Sequence, residues 1–136
     1  MSNRYAHSYR GFDYLNLDEQ LTTEQKLIRD SVRSWVNTSV IPIIEDCAQN
    51  SEFPRHLVKE LGEIGALGPH IPTEYGGGGL DAITYGLIMQ ELERGDSGIR
   101  SCASVQSSLV MYPIWKYGSE EQKHKFLPKL AKGEFL

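Results

Sequence analysis

No stretch of this 136-residue chain approaches the roughly 20 consecutive apolar residues that a membrane span needs. Its opening, Met1-Ser2-Asn3-Arg4, is not followed by an apolar segment, and the region is too poor in Ser and Arg for a transit peptide. Cysteine is scarce. Cys47 and Cys102 each lie in an apolar stretch and read as buried free thiols in a reducing cytosol, not as a disulfide framework. Positive charge is also short: 14 Lys and Arg against 18 Asp and Glu give a net charge of −4, with no concentrated basic face. Nucleic acid is therefore a poor partner, because phosphate binding needs such a face. His7, His56, His70 and His124 are scattered without metal-ligand spacing, so no metal site is expected. Strict apolar–polar alternation is missing, which argues against strands.

What remains is the pattern of one helical domain. Apolar residues make up 40% and charged residues 24%, enough for one real core. Residues 1 to about 20 read as an arm in which Tyr5, Tyr9, Phe12 and Tyr14 recur without a regular period. Thr22 with Gln25 three residues later predicts a capping box. Behind it Ile28, Val32, Trp35, Val36, Val40, Ile43, Ile44 and Cys47 step by three or four. Pro42 predicts a kink or two abutting helices within that stripe. A second helix should open at Pro54, bury Leu57, Val58, Leu61 and Ile64, and end at Gly65. A third runs from about Asp81 to Arg94 and should be buried nearly all round between Tyr85 and Met89. A fourth runs from about Ser97 to Lys116, closed by Gly118. Ser119-Glu120-Glu121-Gln122 caps a fifth, whose Phe126, Leu127 and Leu130 face inward. The expectation is an all-α bundle of five to six helices with the third and fourth central. Gly133-Glu134-Phe135-Leu136 offers no turn chemistry or polar tail and reads as a truncated chain.

The informative residues lie on the fourth helix. Arg100, Ser104 and Ser108 are spaced i, i+4, i+8 and share one face, flanked by Ser97, Ser101 and Ser107. A buried arginine stays charged and must find an anion or keep a path to water. Guanidinium suits a carboxylate, which it holds bidentately. Glu93, seven residues upstream, is one candidate partner and a ligand carboxylate the other. Stripes of this kind are more often solvated faces, and spacing by itself favours that plainer reading. Gly76 to Gly79 lacks the strand before it and the Lys-Ser/Thr after it that a phosphate loop needs, so it reads as a flexible turn. Ser104, Ser107 and Ser108 lack a His-Asp pattern, so nucleophilic catalysis has no support. Glu91 and Glu93 fall on different helix faces and do not form a paired-carboxylate site. Lys123-His124-Lys125 reads as solvated face.

Several runs resemble the acyl-CoA dehydrogenase family over nearly the whole chain. They are Leu21-Thr22-Thr23-Glu24-Gln25, Glu63-Ile64-Gly65-Ala66-Leu67-Gly68, Ile71-Pro72-Thr73-Glu74-Tyr75-Gly76-Gly77, Tyr117-Gly118-Ser119-Glu120-Glu121-Gln122-Lys123, Phe126-Leu127-Pro128 and Gly133-Glu134. Their order and spacing together are specific. The stretches Glu91 to Arg94, Asp96 to Gly98, Arg100-Ser101 and Ser104 to Met111 resemble the glutaryl-CoA dehydrogenase branch. The resemblance implies a subunit with an N-terminal helical domain over residues 21–136, followed by a β-domain and a second helical domain that this chain lacks. FAD and an acyl-CoA thioester would lie between them. It also implies a glutamate base that takes the α-proton while the β-hydride passes to the flavin, and loss of CO₂ to give crotonyl-CoA. Partners would be an electron-transfer flavoprotein and three further copies in a homotetramer, in a bacterial cytoplasm or a mitochondrial matrix. By resemblance Arg100 matches the arginine that holds the substrate's distal carboxylate, Ser101 the serine beside it and Glu93 a polar partner. Ser104 would line the same pocket. The flavin-binding segment and the glutamate base are not among these residues, so the chain by itself is expected to be inactive and without FAD. Two other readings stay open. One is a non-catalytic helical interaction module. The other is an acyl-CoA dehydrogenase for a neutral acyl chain, against which an unpaired Arg100 would argue.

Overall fold

A computed structural model of the chain describes residues 14–136. Tyr5, Tyr9 and Phe12 of the expected arm lie outside the described residues. Its last part forms a helical turn, α1 (Leu17–Gln20), which Asp18 ties to Arg29 by an ion pair.

Helix α2 (Thr23–Trp35) begins as read. The Thr22 hydroxyl accepts from the Gln25 amide, and the Gln25 side chain accepts from the Thr22 amide. Next come a π-helical turn, Val36–Val40, and α3 (Ile41–Gln49). Pro42 explains the turn. It has no N–H to donate and its ring crowds the carbonyl four residues back, so the wider register upstream relieves both. The Ile41 amide accordingly donates to Val36. The helix therefore continues through Pro42, and the stripe Val32, Val36, Val40 stays buried.

Helix α4 (His56–Glu63) starts two residues after Pro54 and buries Leu57, Val58 and Leu61. Gly65, at φ 74°, closes it: its amide donates to Gly62 and that of Ala66 to Leu61, the double bond of a left-handed helix cap. A compact loop with a short 3₁₀ turn, Thr73–Tyr75, follows. Helix α5 (Ala82–Gly95) is capped by Asp81, whose carboxylate accepts from the Thr84 amide.

Helix α6 (Ser97–Ser104) is capped by Asp96 and runs into a second π-helical stretch, Val105–Met111, then α7 (Tyr112–Tyr117). Pro113 plays the part of Pro42, and the Tyr112 amide donates to Ser107. Helix α8 (Glu120–Ala131) has the expected Ser119–Gln122 capping box. Its end does have turn chemistry, contrary to the sequence reading. Gly133 lies at φ 69°, its amide donates to Leu130, and the Glu134 amide donates to Lys129. Buried Gln106 donates from its side-chain amide to the Leu130 and Phe135 carbonyls.

The architecture is all-α: among the described residues there are five helical rods and the short α1, with no strand. One core joins α2, α4, α5 and α6 through Val32, Val36, Leu57, Leu61, Leu67, Ile88, Leu92 and Ile99. A second joins the loop to α8 through Ile71, Tyr75, Met111, Leu127 and Leu130. The two most apolar helices are less enclosed than their composition predicts. In α5, Ile88 is fully buried but Ile83 is 57% exposed; on the α6–α7 rod, Leu109 is 70% exposed. Each packs against neighbours on some faces and leaves another open. Cys47 and Cys102 are free and half-buried, not buried; burial raises the Cys102 thiol pKa. No helix among the described residues is long and apolar enough to cross a membrane.

Candidate functional site: a polar seam between two antiparallel helices

Helices α5 and α6 run antiparallel across the tight turn at Gly95–Asp96. Gly95 allows that turn to seat, because a Cβ there would lie 2.6 Å from Val36 Cγ1. Along the seam two polar rungs share one register. Glu93 Oε2 accepts from Arg100 Nε at 2.5 Å. Eight residues earlier on α5 and eight later on the rod, the Tyr85 and Ser108 hydroxyls are 2.9 Å apart.

Arg100 is half-buried, its side chain 34% exposed, and its partner Glu93 is 49% exposed. Arg100 Nη1 donates to Ser104 Oγ at 3.3 Å, and Ser104 in turn donates to the Ser101 carbonyl at 3.2 Å. The third guanidinium nitrogen, Nη2, has no partner among the described residues. The structure thus brings Glu93, Arg100 and Ser104 together, with half-buried Ser101 next to Arg100 in the chain. Ser107 points elsewhere, donating to the Ala103 carbonyl from a fully buried position. Arg100 is not unpaired, contrary to the expectation from the sequence. Glu93 neutralises it, so an apolar acyl tail nearby would not face an uncompensated charge.

Glu91 and Glu93 diverge as expected, and Glu91 has a partner of its own that the sequence did not reveal. It is 2% exposed and turns to α2, where Arg33 donates to both of its oxygens, joined by Arg94 Nε at 2.9 Å. Desolvation pushes its pKa up, but the hydrogen bonds from Arg33 and Arg94 outweigh that and hold it below the ordinary value. This group is structural cement beneath the seam.

His70, also missed, stacks edge-on to Tyr85 at 5.4 Å and tilted to Tyr112 at 5.8 Å. Burial lowers its pKa, so at neutral pH it is an uncharged wall. Tyr85 was legible only as one of an apolar run, and a phenol does not announce its partner.

The glycine loop is neither a phosphate cradle nor a flexible turn. The amides of Gly76, Gly77, Gly78 and Gly79 donate to the carbonyls of Thr73, Pro72, Gly68 and Ile71. A Cβ on Gly77 would meet the Ile71 carbonyl at 2.1 Å. Tyr75 anchors the loop to α8 by donating to Glu120 Oε2 at 2.8 Å, which pushes the phenol pKa up to about 12. Lys123 is correspondingly half-buried over the Tyr75 ring, not a purely solvated lysine.

The sequence matches the family described as acyl-CoA dehydrogenase, N-terminal domain, over residues 22–134. The chain belongs to the acyl-CoA dehydrogenase family. An acyl-CoA dehydrogenase of Bacillus subtilis is 36% identical over 116 residues, 85% of this chain and 31% of that protein. Glutaryl-CoA dehydrogenase of Desulfococcus multivorans is 34% identical over 123 residues, 88% of this chain and 32% of that one. The crystal structure of glutaryl-CoA dehydrogenase from Mycobacterium smegmatis superposes with a TM-score of 0.85 at 47% identity, covering 90% of this chain and 32% of that one. A structure of a glutaryl-CoA dehydrogenase from the same organism in complex with FADH2 gives 0.85 at 44%, covering 88% and 31%. The chain therefore spans about a third of the length of the relatives it matches.

Among the described residues the amides of the glycine run are spent on internal carbonyls, so that loop offers no cradle to a flavin pyrophosphate, and the Thr22, Asp81, Asp96 and Ser119 side chains each take one amide at a helix start.

Proposed function

We propose that this domain supplies the carboxylate-recognising end of the acyl pocket in an FAD-dependent acyl-CoA dehydrogenase whose substrate is glutaryl-CoA. The observation that carries the reading is the state of Arg100. Its guanidinium is held on two sides, by Glu93 and Ser104, while Nη2 and part of its surface remain open. A guanidinium held in this way presents a preorganised donor edge to a carboxylate. The neighbouring Ser101 hydroxyl adds a neutral donor at the same level, while Ser104, whose hydrogen goes to the Ser101 carbonyl, steadies the guanidinium. The relatives named for glutaryl-CoA support the same assignment.

On this reading the completed enzyme uses FAD, oxidatively decarboxylates glutaryl-CoA to crotonyl-CoA, passes electrons to an electron-transfer flavoprotein and works as a homotetramer in a cytoplasmic or matrix compartment. The proton abstraction and flavin contacts belong to parts of the fold other than this domain. By itself the domain neither binds FAD nor turns over substrate.

The Glu93–Arg100 pair also favours a second reading, a neutral acyl-CoA substrate, since the charge is already compensated. Comparing glutaryl-CoA with butyryl-CoA in the native protein separates the two. A charge-assisted contact to the substrate is worth about 1.5–3 kcal/mol, so Arg100→Ala should cut kcat/KM for glutaryl-CoA by roughly ten- to a hundredfold and spare butyryl-CoA. Equal losses on both substrates would reject the carboxylate role and leave the neutral substrate.

A further inference from the structure

The rod from α6 to α7 carries a polar side chain where an apolar one would pack as well. Gln106 is 2% exposed and lies in the π-helical stretch Val105–Met111. A primary amide buried there costs free energy unless its hydrogens find acceptors. Here both find backbone carbonyls of another element. Nε2 donates to Leu130 at 3.3 Å and to Phe135 at 2.8 Å. Leu130 lies in the last turn of α8, where carbonyls lack helical partners. A helix cap would need no more than that contact. The shorter bond reaches past the turn, to the chain leaving it.

The residues so reached are held from other sides as well. The Glu134 and Phe135 amides both donate to the Lys129 carbonyl, and Lys129 Nζ stands 5.1 Å from the centre of the Phe135 ring. On the α4 side, a Cβ on Gly62 would lie 2.5 Å from the Lys132 carbonyl carbon, and one on Gly133 would lie 2.6 Å from the Val58 oxygen. Helix α4, the rod and α8 therefore converge on residues 132–135. Hydrophobic burial does not account for this. Phe135 is 43% exposed and Leu136 70%, too open for their side chains to fix the path of the chain. Backbone contacts and one buried amide fix it instead.

We infer that Gln106 is a positioning residue for the reaction. It locks the chain at Phe135 in register with the rod, so that the wall of the acyl pocket and the parts of the fold beyond Phe135 move as one body. This rests on the reading that the rod walls an acyl pocket, with Arg100 six residues and Ser104 two residues before Gln106. It does not depend on which acyl chain the pocket takes. Misplacing reacting groups by about 1 Å costs on the order of a hundredfold in rate, so a lost lock shows in kcat before it shows in KM.

Gln106→Met keeps the length of the side chain and removes both donors. In the native protein it should quicken amide exchange at Glu134 and Phe135 by about tenfold and leave Val32 and Leu92 in the core unchanged. It should also lower kcat about ten- to a hundredfold for glutaryl-CoA and butyryl-CoA alike, with KM within about twofold. A residue that merely fills the core would lower stability without splitting kcat from KM. Lys129→Ala, at an exposed position, loosens Phe135 without touching the rod and should lower kcat for both substrates in the same sense. Unchanged exchange at Glu134 and Phe135 in Gln106→Met overturns the inference. So does quickened exchange with unaltered kcat, or a loss confined to one substrate. Should Gln106→Met fold poorly, Lys129→Ala decides, and unaltered kcat in that variant overturns the inference. The reading beneath it fails differently: Arg100→Ala without effect on either substrate takes the rod out of the pocket, whatever the exchange at Phe135.

Discussion

Arg33 grips Glu91 on both carboxylate oxygens, Nη2 to Oε1 at 2.6 Å and Nε to Oε2 at 3.0 Å, and so bolts helix α2 to helix α5. Glu91 is 2% exposed, whereas the Arg33 and Arg94 side chains that serve it are 45% and 37% exposed. The two arginines can rehydrate if their partner is removed. Glu91→Ala is therefore expected at the low end of a broken buried pair, a loss of about 3 kcal/mol. Glu91→Gln, which keeps hydrogen-bonding capacity, should cost less. Urea unfolding followed by circular dichroism measures both, and a loss under about 1 kcal/mol in Glu91→Ala would show that the pair holds nothing together.

The same carboxylate sets an acid limit. Its folded pKa lies below the ordinary 4.5, so the unfolded chain binds the proton more readily. Its contribution is complete above that ordinary value and drains away as pH falls through the lowered folded one. Asp81 and Glu120 shift in the same direction, for reasons of capping and of the Lys123 and Tyr75 contacts. Stability should begin to fall below about pH 6.5, where the unfolded chain protonates His70 and the half-buried ring resists the charge, and should drop again below about pH 5 as the carboxylates are protonated. In Glu91→Gln the drop should be shallower; an identical acid limb in that variant would remove Glu91 from the account.

Two glycines predict opposite results for the same substitution. A Cβ on Gly77 would overlap the Ile71 carbonyl, with the fully buried Ile71 side chain unable to withdraw. Gly77→Ala should lose about 3 kcal/mol, the high end for overpacking. Gly86, in the middle of α5, has nothing within 4 Å of its would-be Cβ. Gly86→Ala should gain about 0.5–1 kcal/mol through helix propensity. A Gly77→Ala melt no lower than the native one would contradict the packing of the loop, and a lowered Gly86→Ala melt would contradict the open space beside α5.

Much of this was legible because it is local. Thr22, Asp81 and Ser119 act within three residues of themselves, and their caps form as read. Pro42 was visible as a fault in a periodic stripe, though the helix absorbs it in a π turn instead of breaking. Pro113 acts in the same way and was overlooked, because the apolar residues around it keep helical spacing across it. What the sequence hid is long-range. Glu91 looks like any surface glutamate until α2 brings Arg33, 58 residues away, against it. Tyr85 and Ser108 are 23 residues apart and pair only because α5 and the rod are antiparallel. Of the expected pocket residues, Arg100 and Glu93 were linked by spacing, but that spacing did not reveal that they neutralise each other.

The small share assigned to Ser104 follows from its geometry. It accepts from Arg100 Nη1 at 3.3 Å and donates to the Ser101 carbonyl at 3.2 Å, both long for hydrogen bonds. It steadies one edge of the guanidinium without carrying charge. Ser104→Ala should therefore lower kcat/KM for glutaryl-CoA by no more than about fivefold, the equivalent of about 1 kcal/mol, and leave butyryl-CoA unchanged. Arg100→Ala should exceed it by at least several-fold, because it removes the charge itself. Steady-state kinetics of the two variants rank them. If Ser104→Ala proved the more damaging, the serine and not the guanidinium would be reading the substrate's acidic end, and the roles of the two residues would have to be exchanged.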